Sequence, residues 1–179
     1  YDCIIMAYYP VQLNPDSRWD KRGNSIIDII LILIGLGYKK IALKIKLGHL
    51  SDEHYYYRSI LEMNGIVDKI KIITGHLYEH IGETNLAIGD ISTAAIEFTC
   101  HNIPYYIYEP FENGVTDDMI NSTSLFNRKS ISRTPTELEN NLANHFPSII
   151  SNYDQIFDGT ELSKINYSQL INWKDFLIN

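Results

Sequence analysis

Residues 85–110 read N-L-A-I-G-D-I-S-T-A-A-I-E-F-T-C-H-N-I-P-Y-Y-I-Y-E-P. Leu86, Ala87 and Ile88 form a short apolar run that stops at Gly89-Asp90. Ser92-Thr93 then open a segment in which Ala94, Ala95, Ile96 and Phe98 recur at helical spacing. His101-Asn102 end it, and Pro104 precedes a second run, Tyr105–Tyr108. The order is strand, tight turn, helix, strand. Short apolar runs alternating with helices predict an α/β fold, a doubly wound parallel sheet covered on both faces. Ligands of such sheets bind beyond the carboxyl ends of the strands, where Gly89–Thr93 would lie at the start of a helix. Free N–H groups and the helix dipole favour an anion there, and two hydroxyls add hydrogen bonds. The same residues also serve as ordinary helix caps, because Asp90 and Ser92 oxygens accept from first-turn N–H groups. Both readings stay open at this point.

The rest of the chain repeats the alternation. Cys3–Ala7 predicts a first strand, with Tyr8-Tyr9-Pro10 at its exit. Val11–Asn24 is polar and predicts a long loop, a length that in compact domains tends to carry function. Its Arg18 and Arg22 are either phosphate contacts or solvated loop residues. Ser25 predicts the cap of a helix over Ile26–Leu36, with Asp28 in its first turn complementing the dipole and Gly35 and Gly37 at its end. Ile41–Leu47 predicts a second strand whose alternation points to one less buried face, shared by Lys44 and Lys46. Gly48-His49 turn the chain, a helix follows over His54–Asn64, and Gly65 is placed as its C′ residue. Ile70–Ile73 predicts the third strand, Gly75–Glu83 a short helix or turn, Asn85–Ile88 the fourth strand and Tyr105–Tyr108 the fifth. Asp117–Phe126 predicts a weak helix, Lys129–Ser132 a sixth strand, and Pro135 a helix reaching about His145. The domain is expected over residues 1–146. Residues 147–179 form its C-terminal extension, with packing helices expected within Leu162–Leu177.

The totals bound the function. A chain of 179 residues can bury a sizeable core. Its composition, 45% hydrophobic and 21% charged, is ordinary for a globular protein. A net charge of -7 argues against a nucleic-acid surface, which needs a basic patch. The longest apolar run, Ile29–Ile34, is too short to span a bilayer. Two cysteines, Cys3 and Cys100, show no metal spacing, and a reduced, cytoplasmic setting is expected. The start at Tyr1 leads to the expectation that this is a piece of a longer polypeptide.

One motif competes with the anion site. His76-Leu77-Tyr78-Glu79-His80 matches H-x-x-E-H, a zinc-peptidase signature in which two histidines four apart share a helix face. The run between the flanking strands is too short for a long metal-bearing helix, and five-residue motifs match by chance. A solvated short helix is the preferred reading, so no metal is expected. Cys100-His101 as a nucleophile pair fails because adjacent helix residues do not face each other. Tyr55-Tyr56-Tyr57 is read as half-buried helix surface rather than a stacking platform. His49, at the mouth of the second strand, is either a ligand contact or a solvated turn residue.

The element order, together with Gly89-Asp90-Ile91-Ser92-Thr93-Ala94-Ala95-Ile96-Glu97, resembles the C-terminal nucleotide-binding domain of GT-B glycosyltransferases. Within them it is most similar to bacterial surface-polysaccharide enzymes: polyglycerol-phosphate transferases, capsule transferases of Kdo, and bacterial sialyltransferases. The resemblance spans roughly Asp2–His145. It implies a Rossmann-like fold, the GT-B C-terminal half. It also implies that Ser92 and Thr93 bind the nucleotide phosphate, with Glu97 as the acidic residue that follows. Ile103-Pro104 resembles the opening of the next strand in many such domains. Those families often carry K-x-H-P at the end of the second strand. Here Lys44-Ile45-Lys46-Leu47 keeps the lysine as Lys44 and sets Lys46 where the histidine stands.

The expected substrate-binding set is therefore Lys44, Lys46, His49, Asp90, Ser92, Thr93, Glu97 and Glu109. Phosphate would sit on the helix start between the lysines, with Glu97 accepting from ribose hydroxyls and Glu109 contacting ribose or sugar. The reaction implied is transfer of a sugar from an activated nucleotide donor to a surface-glycan acceptor. Its catalytic base would come from a missing N-terminal domain, so that this domain alone would be inactive. The partners implied are the nucleotide-sugar donor, that missing domain and the glycan acceptor, with no nucleic acid, no cofactor and no metal. The expected place is the cytoplasm, or the inner face of the cell membrane reached through the rest of the protein. Two other readings remain: a nucleotide- or carbohydrate-binding or structural domain without activity, and half of a sugar-nucleotide epimerase. Fold alone cannot choose among them.

Overall fold

The computed structural model describes residues 1–7, 18–45, 50–111 and 128–149. Five parallel strands form one sheet: β1 (Cys3–Met6), β2 (Ile41–Lys44), β3 (Ile70–Ile73), β4 (Ala87–Gly89) and β5 (Tyr105–Ile107). Their spatial order is β3-β2-β1-β4-β5. The chain winds outward from β1 to β3, returns across the sheet, and winds the other way through β4 and β5. This is the doubly wound, Rossmann-like arrangement expected from the alternation of elements. The order reverses between β1 and β4, and the crevice at that point is where such folds take ligands.

Helices α1 (Arg18–Gly35), α2 (Leu50–Met63), α3 (Tyr78–Ile81), α4 (Thr93–Cys100) and α5 (Pro135–Ala143) cover the sheet. Alternate strand residues feed two separate cores. Ile5, Leu43, Ile88 and Tyr106 pack with Ile29, Ile30 and Leu33 of α1, Tyr57 and Leu61 of α2, and Leu138 and Leu142 of α5. Ile4, Ala42, Ala87, Tyr105 and Ile107 pack with Ile81 of α3 and Ala95 and Phe98 of α4. Helices thus lie on both faces, as right-handed crossovers require. Among the described residues no helix is long and apolar enough to cross a membrane.

Several sequence expectations need correction. The loop predicted over Val11–Asn24 is shorter than expected, because α1 already begins at Arg18. Gly23 sits inside that helix because α2 crosses it closely: a Cβ there would lie 2.5 Å from Ile60 Cδ1 and 2.7 Å from Tyr56 Oη. Ser25 is therefore a buried interior residue rather than a cap. Asp28 lies ten residues into the helix, beyond the first turn where the dipole acts. The second strand has no open face: Ile41, Ala42, Leu43 and Lys44 are all buried, since β2 lies between β1 and β3. The triple tyrosine splits, with Tyr57 fully buried and Tyr55 exposed.

The predicted sixth strand is a 3-10 turn over Arg128–Ser130 and a single parallel bridge from Ser132 to Tyr108. Ser148 completes that edge: its backbone N–H donates to Tyr105 O at 3.0 Å, and its Oγ accepts from Ile107 N at 2.8 Å. The helix predicted over Asp117–Phe126, the exit Tyr8-Tyr9-Pro10 and the helices within Leu162–Leu177 lie outside the described residues.

Candidate functional site

The carboxyl ends of β2, β1 and β4 lie side by side. Met6 pairs with Lys44, and Ile5 pairs with Ile88, which puts Gly89 next to the end of β1. A Cβ on Gly89 would stand 2.8 Å from Met6 Cβ and would collide with the Tyr105 hydroxyl. Glycine is thus needed for close packing, since two neighbouring strands press on it. From Gly89 the chain turns through Asp90 and Ile91 and enters α4 at Thr93.

Tyr105 organises this turn from below. It is fully buried, its ring tilts against Phe98 at 5.8 Å between centroids, and its hydroxyl donates to Asp90 O at 2.9 Å. Burial, helped by the Asp90 charge, pushes its phenol well above the ordinary range, while a hydrogen bond with the Ser92 side chain works the other way. Ser92 is the N-cap residue by position, with extended backbone at φ -150 and ψ 169, yet its side chain makes no cap hydrogen bond. The capping half of the sequence reading therefore fails for Ser92, whose side chain forms no cap bond. Ser92 O accepts from Ala95 N at 3.0 Å and closes the first turn.

The remaining expected residues divide. Asp90 is half-buried in the turn itself, and Thr93 and Glu97 are exposed on one side of α4, one turn apart. Glu109 is buried at the exit of β5, with its N–H donating to Ser132 O at 2.9 Å. Arg133 braces this exit: its Nη1 donates to Glu109 O and Phe111 O, both at 3.2 Å. Lys46 and His49 lie outside the described residues.

Lys44 shares the edge with Gly89, about two strand spacings (~10 Å) away, but it is not presented to solvent as expected. It is 5% exposed, and its Nζ donates to Ile45 O at 2.7 Å. Burial lowers its pKa, while the carboxylates of Glu79 and Glu53 raise it. Glu53, in the first turn of α2, is itself 4% exposed. This lysine therefore already sits among protein charges.

The H-x-x-E-H residues diverge. Helix α3 spans only Tyr78–Ile81, so His76 precedes it. His76 stacks on Tyr78 at 5.3 Å, whereas His80 sits edge-on to Tyr1 at 6.2 Å, with its Nε2 3.0 Å from Thr74 O. Glu79 turns toward Gly75, a residue at φ +86. Two rings with separate partners do not form the shared face that the motif requires. Among the described residues no group of three or more metal-ligating side chains comes together.

Two features were missed in the sequence. Tyr105 had a readable signal: small Ala87 and Gly89 on β4 face it across the strand pair, leaving room for one large ring. The Asp28–Tyr108 pair had none. Asp28 of α1 accepts from the Tyr108 hydroxyl at the end of β5, joining residues 80 apart in sequence. Burial raises both groups, Tyr108 to about 12. Compared with known proteins, the chain matches no protein-family model and no curated protein.

Proposed function

We propose that this chain is the donor-binding half of a GT-B glycosyltransferase, holding the phosphate of a nucleotide-sugar at the turn into α4. The observation that carries the reading is Ser92. It stands at the N-cap of α4 beside the point where the strand order reverses, and its hydroxyl does not cap its own helix. An arriving phosphate would find the positive end of the helix dipole, first-turn N–H groups and the Thr93 hydroxyl, with the Ser92 hydroxyl able to turn to it from Tyr105. Glycosyl transfer builds negative charge on the leaving phosphate, and donors already aimed at it lower the barrier. Lys44 contributes through the field of a cation partly balanced by Glu53 and Glu79 rather than as a direct ligand. Transfer itself would need an acceptor site and a base from a second domain.

The burial of Lys44 and Glu109 favours one competing reading, a nucleotide-binding domain with no transfer of its own. The test for binding is a thermal-shift panel of CMP, CDP, UDP, GDP and ADP on the full chain and on the Ser92→Ala/Thr93→Ala variant. Nucleotide at 100 times its dissociation constant adds about 2.7 kcal/mol of stability. A rise in Tm with one nucleotide, lost in the variant, supports the site and names the donor class. No rise with any of the five removes this reading. Activity appearing only when the chain is joined to an acceptor-binding domain distinguishes the transferase from the binding module.

A further inference from the structure

The loop that leaves β3 carries an exposed pair of rings at the same edge of the sheet as the α4 turn. His76 and Tyr78 stack on each other, with 5.3 Å between ring centroids and 16° between ring planes. Tyr78 is 71% exposed, and His76 is exposed as well. Each ring holds its neighbour in one orientation while aromatic surface stays open to water. A surface ordered in this way loses little conformational freedom when a flat ligand packs on it.

The neighbours of the pair fix its place. It follows β3 at the carboxyl end and leads into α3, whose Ile81 packs in the same core as Ala95 and Phe98 of α4. The two helices therefore cover one face of the sheet. The Glu79 carboxylate acts on Lys44 at the end of β2, so the rings stand on the β2–β3 side of the edge and the phosphate turn on the β4 side. Strands β2 and β4 are two spacings apart, about 10 Å. A ligand that reaches both places is elongated, with an anionic end and a flat end.

The charged groups beside the rings bear on the flat end. Glu79 is exposed directly after Tyr78, and an anion there would face it. Lys44 is buried with Glu53 and Glu79 around it, so its charge is already partly balanced. His80 has its Nε2 3.0 Å from Thr74 O and its ring edge-on to Tyr1. A neutral heteroaromatic ring suits these surroundings, since it stacks on the open aromatic surface and its N–H groups can donate to Glu79. The net charge of -7 argues for a mononucleotide rather than a nucleic-acid strand.

We propose that the His76–Tyr78 pair is a nucleobase site, stacking the base of the nucleotide whose phosphate lies at the α4 turn. The identity of the whole ligand rests on the phosphate reading above, whereas the stacking of the base does not.

The test titrates cytidine, uridine, adenosine and guanosine separately into the isotope-labelled full chain and follows the ring protons of His76 and Tyr78 by NMR. Inorganic pyrophosphate and tetramethylammonium serve as charged probes. Saturable upfield shifts of both rings with at least one nucleoside are expected. Tyr78→Ala should weaken that binding about fivefold or more, the worth of one base–aromatic stack, while Tyr78→Phe keeps it. The side chain is exposed, so Tm should stay unchanged in both variants. The proposal is overturned if no nucleoside moves the rings, if Tyr78→Ala binds as the wild type does, if Tyr78→Phe loses as much as Tyr78→Ala, or if tetramethylammonium alone moves them. Pyrophosphate tests the other reading separately: if it leaves the Ser92 and Thr93 amides in place while a nucleoside moves the rings, the phosphate site fails and the base site stands.

Discussion

Lys44 shows how one residue's role depends on its neighbours. At the end of a strand, next to a helix start that favours anions, a lysine reads as a phosphate ligand. With β1 and β3 on either side, it becomes a buried cation with Glu53 of α2 and Glu79 of α3 around it. Taking away the Lys44 charge leaves the buried Glu53 carboxylate without its nearby cation. Lys44→Met should therefore cost about 3 kcal/mol of stability at neutral pH, measured by urea unfolding. Adding Glu53→Leu to that variant should restore most of the loss. A Lys44→Met protein as stable as the wild type would mean that Glu53 does not depend on the lysine. Asp28 carries the same lesson: its position in α1 matters less than the Tyr108 hydroxyl it meets across the core.

At the scale of elements, two helix starts that look alike in sequence behave differently. Thr134 and Glu137 form a full capping box at α5: Thr134 Oγ1 accepts from Glu137 N at 3.2 Å, and the Glu137 carboxylate accepts from Thr134 N at 3.0 Å. Ser92 occupies the matching place at α4 and caps nothing. Thr134→Ala should cost about 1 kcal/mol, whereas Ser92→Ala should change unfolding stability by only a few tenths of that. Chemical denaturation of the two single variants checks this. Equal losses would mean that Ser92 is an ordinary cap and would weaken the anion reading. Four of the five helix ends, by contrast, follow one rule, α3 being the exception with Gly82 at φ -62. Gly37, Gly65, Asn102 and His145 all take positive φ, and each is followed by a residue whose N–H reaches back to the third carbonyl from the helix end. Tyr38, Ile66, Ile103 and Phe146 are the apolar residues that follow.

At the scale of the molecule, one edge of the sheet is closed. Ser132 and Ser148 occupy the outer side of β5, so that backbone groups there are paired without a sixth strand. Tyr106 and Tyr108 tie β5 to the core that it shares with α1 and α5. Both phenols are raised from 10.0 to about 12, chiefly by burial. The folded protein keeps these protons where the unfolded chain has lost them, so stability falls as pH rises from 10 to about 12 and levels off beyond. Urea unfolding across that window should show the decline. A Tyr106→Phe/Tyr108→Phe variant should show much less of it, and an equal decline in the variant would assign the effect to other groups.

The fold class was legible because its causes are local. Apolar runs of strand length, helical spacing between them and turn residues at the joints are all properties of neighbouring residues. Ile70–Ile73, the α4–β5 unit and the helix from Pro135 appear where the periodicity places them. The Gly89–Thr93 turn at a strand's carboxyl end follows from the same pattern. What the sequence left open was settled by groups that meet only after folding. Helix α1 starts at Arg18 rather than Ile26, and its Gly23 lets α2 pack closely there. Lys44 is buried because β2 lies inside the sheet, and Ser92 stands at the N-cap of α4 without capping it. Burial and partner choice depend on contacts distant in sequence, so the chain alone determined the architecture and the tertiary structure decided which polar groups remain free for a ligand.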